Sequence, residues 1–161
     1  MTGITACLWF DGDAEDAARF YEATIPDTRV TAVHRSPVDY PAGKAGDVLT
    51  VEFTVQGTAF LGLNGGAGVP FTNAVSFQIE TADQAETDRL WDALIADGGE
   101  PGQCSWLKDR YGLSWQIVPR QLTDGMNHSD PAVAGRVMEA MMTMTKIDVA
   151  AIERAAAGDA R

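Results

Sequence analysis

Residues 104–119 read Cys-Ser-Trp-Leu-Lys-Asp-Arg-Tyr-Gly-Leu-Ser-Trp-Gln-Ile-Val-Pro. They describe two short strands joined by a charged turn that contains Gly112. Leu113, Trp115 and Ile117 alternate with Ser114 and Gln116, so the second strand has one apolar and one polar face. Gln116 stands where a strong catalytic or metal-binding side chain would otherwise announce the chemistry. The stretch points to a fold more firmly than to a reaction.

Ahead of this hairpin the chain states one plan twice. Residues 4–10 form an apolar strand closed by Asp11-Gly12. Asp13 is placed to cap a helix, with Asp16 at the reciprocal capping-box position. Ala14, Ala17, Ala18, Tyr21 and Ile25 then recur at helical spacing, and Pro26 stops the run. Residues 29–35 read as a second strand and 36–47 as a loop. Residues 48–55 alternate two faces, and Gln56-Gly57 is a two-residue turn into a strand over 58–63. Residues 74–80 restart the plan, with Val75, Phe77 and Ile79 on one face and Ser76 and Gln78 on the other. Asp83 and Glu86 make a capping box for a helix packed through Thr87, Leu90, Trp91, Leu94 and Ile95. One constant offset lays Trp9 on Ile79, Asp13 on Asp83, Tyr21 on Trp91 and Ile25 on Ile95, the mark of an internal repeat.

Two such units are expected to join their sheets into a curved, mostly antiparallel cup of α+β class, with helices outside. Beyond Pro119, Asp130-Pro131 starts a helix with Val133, Val137, Met138, Met141 and Met142 as its apolar stripe. Asp148 caps a last short helix running through Ala157 and ending near Gly158. The methionines suit core filling, an intersubunit contact or a ligand lid.

Composition narrows the function classes. A chain of 161 residues is most simply one domain, and its net charge of −11 disfavours nucleic acid and anionic membranes as partners. No apolar run approaches the ~20 residues that span a bilayer, and no basic-then-apolar leader is visible, so cytoplasmic residence is the expectation. Cys7 and Cys104 match no metal or redox spacing and read as small buried hydrophobes.

The chain resembles the vicinal oxygen chelate superfamily of glyoxalases, bleomycin-resistance proteins and extradiol dioxygenases. The closer likeness is to its PhnB-like branch, often labelled demethylubiquinone methyltransferase. The residues that carry it are Leu8-Trp9-Phe10-Asp11-Gly12, Ala17-Ala18-Arg19-Phe20-Tyr21, Leu63-Asn64-Gly65-Gly66, Ala74-Val75-Ser76-Phe77 and the block from Trp106 to Pro119. The likeness spans about residues 3–145, leaving 146–161 as a C-terminal helical tail. It implies two βαβββ modules, a concave ligand space and dimerisation. Metal-dependent members of the superfamily place His, Gln or Glu on facing strands. The matching places here hold Ala6, Phe60, Ala74 and Gln116, too few ligands for a tetrahedral or octahedral site. No metal and no cofactor are therefore expected. The Leu63–Gly68 run contains Gly-x-Gly without an adjoining periodic helix, which suits a tight turn better than a nucleotide or methyl-donor site.

Candidate ligand-binding residues follow from strand parity. Ser76, Gln78, Ser114 and Gln116 fall on the cup side, and Asn64 could join them. Trp106 could stack on a ligand or simply pack beside its turn. A solvated sheet face or a structural polar network explains the same polar set. Lys108, Asp109 and Arg110 could steer an anion to the cup mouth or form a surface hairpin. His34 and His128 lie in different contexts and read as surface or locally satisfied residues, and Ser114 has no nucleophile elbow. The expected function is metal-independent binding of a small polar aromatic or anionic molecule. The alternatives are a superfamily enzyme acting on a small oxygenated substrate and an interaction protein using the methionine stripe. The exposed cup edges and the apolar 137–142 segment predict a homodimer.

Overall fold

One strand–helix–strand plan occurs in Met1–Phe71 and again in Thr72–Arg161, in a computed structural model that describes residues 3–159. The first unit runs β1 (Ala6–Phe10), α1 (Ala14–Thr24), β2 (Thr28–Arg35), β3 (Val48–Val55) and β4 (Thr58–Asn64). Its sheet order is β1-β4-β3-β2, with β1 parallel to β4 and the other pairs antiparallel. Leu8, Phe10, Val51, Phe53 and Phe60 bury one face of the sheet together with Ala14, Ala17, Ala18 and Tyr21 of α1. The alanines let the helix lie close: a Cβ added to Gly62 would sit 3.2 Å from the Ala14 Cβ. Phe53 and Phe60 stack with centroids 5.3 Å apart. Gln56 and Gly57 both take positive φ, 46° and 81°, as the two-residue hairpin turn requires.

Two details of this unit differ from expectation. Asp13 makes no side-chain cap; instead the Ala14 N–H donates to Asn64 Oδ1 at 3.0 Å. Asp13 lacks the extended backbone of a capping residue (φ −107°, ψ 17°), and Asn64 at the end of β4 takes its place. The glycine pair that follows is shaped by Trp9: a Cβ on Gly65 would fall inside the indole, whose Nε1–H donates to the Gly66 carbonyl at 2.7 Å. A tight turn against an aromatic ring accounts for both glycines.

The second unit runs β5 (Phe77–Thr81), α2 (Gln84–Ile95), β6 (Glu100–Pro101), β7 (Trp106–Lys108) and β8 (Ser114–Pro119), in sheet order β5-β8-β7-β6 with β5 parallel to β8. The two modules are therefore each βαβββ. Ile79, Leu107, Trp115 and Ile117 pack with Leu90, Trp91 and Leu94 of α2. Asp83 caps α2, the Glu86 N–H donating to Asp83 Oδ1 at 2.9 Å, but the reciprocal half of the box is shifted: Glu86 Oε2 accepts from the Ala82 N–H at 2.8 Å, one residue before the cap. Three further helices follow, α3 (Arg120–Met126), α4 (Pro131–Met142) and α5 (Val149–Ala157). They build a second cluster in which Val118, Leu122, Val137, Ile147 and Ile152 are buried, with Met126, Met141 and Met144 packed against it. Core filling thus takes part of the methionine stripe, while Met138 and Met142 remain about half exposed.

The offset that superposes the helices does not superpose the strands. Buried Leu8 and Phe10 correspond to buried Ile79 and Thr81, one position further on. Three residues separate β1 from α1 and two separate β5 from α2, so Trp9 matches exposed Glu80 rather than Ile79. β5 starts at Phe77, not at residue 74; Ala74 lies in a turn and Val75 is exposed. Helix α3 has no counterpart among the sequence signals. Thr123, Asp124 and Gly125 are weak helix formers, and tertiary packing supplies the order, with Gly125 held so near Val137 that an added Cβ would meet its methyl at 2.9 Å.

Candidate functional site

Three strands of the second sheet bring one side chain each into a row. Gln78 on β5 is the register partner of Gln116 on β8, and Gln116 is in turn the partner of Trp106 on β7. Neighbouring strands lie about 4.8 Å apart, so the row spans roughly 10 Å across one face. Parity turns Trp115 and Ile117 the other way, into the α2 layer, where both are buried. The row borders a cavity of about 430 Å³. Leu122, Thr123 and Met126 of α3, with Asn127 and Met141, form the opposite wall, and Val118 continues the row's face toward that wall.

The remaining boundary is backbone under strain. Cys104 and Ser105 both take positive φ, 57° and 71°, which for residues with a Cβ costs about 1–3 kcal/mol each. Their N–H groups are pinned to the carbonyls of Met144 at 2.8 Å and Thr145 at 2.9 Å, and the Ile117 N–H donates to the Ser105 carbonyl at 3.0 Å. Ser105 is 2% exposed and lines the cavity. The Thr123 hydroxyl, on α3, is buried without a partner. Gln116 uses one donor on Ser76, at 2.9 Å. Among the described residues, no Asp, Glu, Lys, Arg or His side chain lines this cavity.

The expected ligand residues divide accordingly. Gln78, Trp106 and Gln116 face the cavity, and Ser76 supports Gln116 from behind the row. Ser114 is fully buried and donates to Asn73 Oδ1 at 2.9 Å. Asn64 belongs to the first unit, where its amide caps α1 and donates to the Val48 carbonyl at 2.9 Å. Both hydrogen-bonding ends of its side chain are thus engaged in the fold. Ser105, Thr123 and Asn127 carried no sequence signal, because the partners that make them cavity residues are distant in the chain; Met141 was legible only as part of the apolar stripe of α4.

Several other expectations are corrected. Cys7 is exposed and Cys104 half-buried in the cavity wall, so neither is a core hydrophobe. Ala6 shares the helix-facing side with Leu8 and Phe10, and Phe60 is buried against Phe53, so neither occupies an open-face ligand place. Ala74 lies outside the sheet altogether. Among the described residues no group of three or more His, Cys, Asp or Glu side chains is arranged to hold a metal ion. In the charged hairpin, Lys108 pairs with Glu100 at 3.7 Å and Arg110 with Asp97 at 2.8 Å. Asp109 is 2% exposed and accepts from the N–H groups of Tyr111 and Leu113 and from Trp115 Nε1, at 2.9, 3.0 and 2.8 Å. It ties the turn to β8 rather than reaching a ligand. His34 meets Glu52 at 3.0 Å, and His128 Nδ1 accepts from the Asp130 N–H.

Comparison with known proteins follows the same lines. The family described as 3-demethylubiquinone-9 3-methyltransferase matches residues 2–118. A PhnB protein from Bacillus cereus, described with the same methyltransferase name, is 28% identical with a TM-score of 0.65, over 73% of this chain and 99% of that one. A protein from Pseudomonas aeruginosa shares the fold at 18% identity and a TM-score of 0.60, over 74% of this chain and 98% of that one. No curated protein matches the sequence. The chain belongs to the 3-demethylubiquinone-9 3-methyltransferase family, the PhnB-like branch of the vicinal oxygen chelate superfamily.

Proposed function

We propose that this protein binds a small polar aromatic or anionic molecule in the cavity of its second unit, without a metal. The row Gln78–Gln116–Trp106 carries the reading: two carboxamides and one indole, on adjacent strands, border a space of ligand size. Trp106 offers a flat surface for stacking, and the carboxamides supply both donors and acceptors. Calorimetric screening of small aromatics is expected to find a ligand whose affinity drops about tenfold in Gln116→Ala, the loss of one or two hydrogen bonds. A screen that finds no ligand, together with a crystal structure in which α3 fills the cavity, would reject it.

An enzymatic role on a small oxygenated substrate is favoured by one observation. Paired strained residues such as Cys104 and Ser105 are the kind of feature found at functional sites. The methyltransferase description of the family belongs with this reading. Turnover of a bound ligand, lost in Gln116→Ala with the fold intact, would put it first. Self-association into a homodimer is part of the same proposal, supported by the exposed Met138 and Met142 one turn apart on α4.

A further inference from the structure

We infer that the cavity selects an uncharged ligand, a flat molecule carrying a carboxamide, lactam or phenol group, and discriminates against the corresponding carboxylate. The inference rests on the binding reading above and narrows it to one of its two ligand classes. The polar side chains that line the space are all neutral, Gln78, Gln116, Asn127 and Ser105 among them. An anion entering would exchange hydration for dipoles alone, with no cation to compensate it. Neither Lys108 nor Arg110 lines the space; Lys108 lies 3.7 Å from Glu100 and Arg110 2.8 Å from Asp97. The chain's net charge of −11 opposes an anion at long range as well. The Ser105 hydroxyl is the second observation. Ser105 lines the space with only 2% of its surface exposed, and its side chain carries no charge. A hydroxyl can donate to a carbonyl oxygen or accept from an amide N–H. The carboxamides do the same, so a ligand with one donor beside one acceptor satisfies the wall from either direction.

The test uses matched pairs that differ only in this group: benzamide and benzoate, naphthalene-2-carboxamide and naphthalene-2-carboxylate, indole-3-acetamide and indole-3-acetate. Binding is measured by calorimetry and by protection of Cys104 from iodoacetamide, in the full chain carrying Cys7→Ser so that the cavity thiol alone reports. At neutral pH the amide member is expected to bind at least about tenfold more tightly, equivalent to about 1.4 kcal/mol. Ser105→Ala should weaken the amide several-fold and leave the carboxylate unaffected. Gln78 is exposed and tolerates a charge, so Gln78→Lys should shrink or reverse the preference without disturbing the fold. Equal or tighter carboxylate binding with Cys104 protection would overturn the selectivity and leave the binding cavity standing. Failure of every pair to bind or to protect Cys104 would overturn the binding reading itself.

Discussion

At the scale of single residues, Asp109 shows how a charged side chain becomes structural. Three donors converge on its carboxylate, two from the turn backbone and one from the Trp115 indole, in a place with almost no solvent. Hydrogen bonds to an ionised group contribute about 1.5–3 kcal/mol each, and removing the acceptor strands its donors. Asp109→Ala is therefore expected to destabilise the protein by about 3 kcal/mol or more, read from the urea midpoint at an unchanged m-value. A change below about 1 kcal/mol would contradict this account of the turn. Asn64 poses a similar question in the first unit. Asn64→Ala removes the acceptor for the Ala14 N–H and the donor for the Val48 carbonyl, an expected loss of about 1–2 kcal/mol. Asp13→Ala should change stability by less than about 0.5 kcal/mol, because Asp13 holds no cap bond. The reverse ranking would return the capping role to Asp13.

At the scale of elements, α2 is fastened to the C-terminal helices by polar contacts from one face. Gln84 donates to the Ile147 carbonyl at 3.0 Å and accepts from the Val149 N–H at 2.7 Å. Lys146 lies 2.8 Å from Asp88 and 3.4 Å from Asp92. The hydrogen bond from Lys146, aided by one from Gln84, holds the Asp88 carboxyl below its ordinary value of 3.8. The hydrogen bond to Asp88 raises the Lys146 ammonium above 10.5 against its partial burial. A lowered carboxyl contributes stability above its ordinary value and loses it as pH falls through the folded one. A raised ammonium contributes below its ordinary value and loses it as pH rises through the folded one. The pair therefore stabilises between those limits, by no more than about 1 kcal/mol because both side chains are partly exposed to solvent. Lys146→Ala should lower the melting temperature near pH 7, and the gap from the wild type should close as pH falls below the lowered Asp88 value or rises above the raised Lys146 value. A gap that stays constant across that range would show packing, not charge, to be the cause.

At the scale of the whole molecule, net charge and exposed apolar surface pull in opposite directions. Two copies carrying −11 each repel one another, while Met138 and Met142 present adjacent apolar side chains on α4. A homodimer is the expected state, with a sedimentation-equilibrium mass near twice that of a single chain. Added salt screens the repulsion and should tighten the association. The double change Met138→Asp and Met142→Asp should favour the monomer. A concentration-independent mass equal to that of one unaltered chain would rule the dimer out.

Short-range information was enough for most elements. Alternation over residues 48–55, the Gln56-Gly57 turn, the Asp83 and Asp148 caps and the end of α5 at Gly158 could all be read locally, since each depends on neighbours within a few residues. The polar face of β8 was legible for the same reason, and with it Gln116. What needed the folded chain was everything decided by distant partners. Strand pairing set which residues flank Gln116, and it moved the start of β5 from residue 74 to Phe77. The extra residue before α1 broke the alignment of strands between the two units, a slip that inverts which face a side chain meets. Packing against Val137 ordered α3 despite its weak propensity, and α3 in turn supplied one wall of the open cavity beside Gln116. The left-handed backbone at Cys104 and Ser105 is maintained by carbonyls far along the chain, at Met144 and Thr145. Local sequence determined the modules, their strands and the polar face; tertiary packing alone decided which of those polar groups would be left facing an open space, because that depends on where distant carbonyls and side chains come to rest.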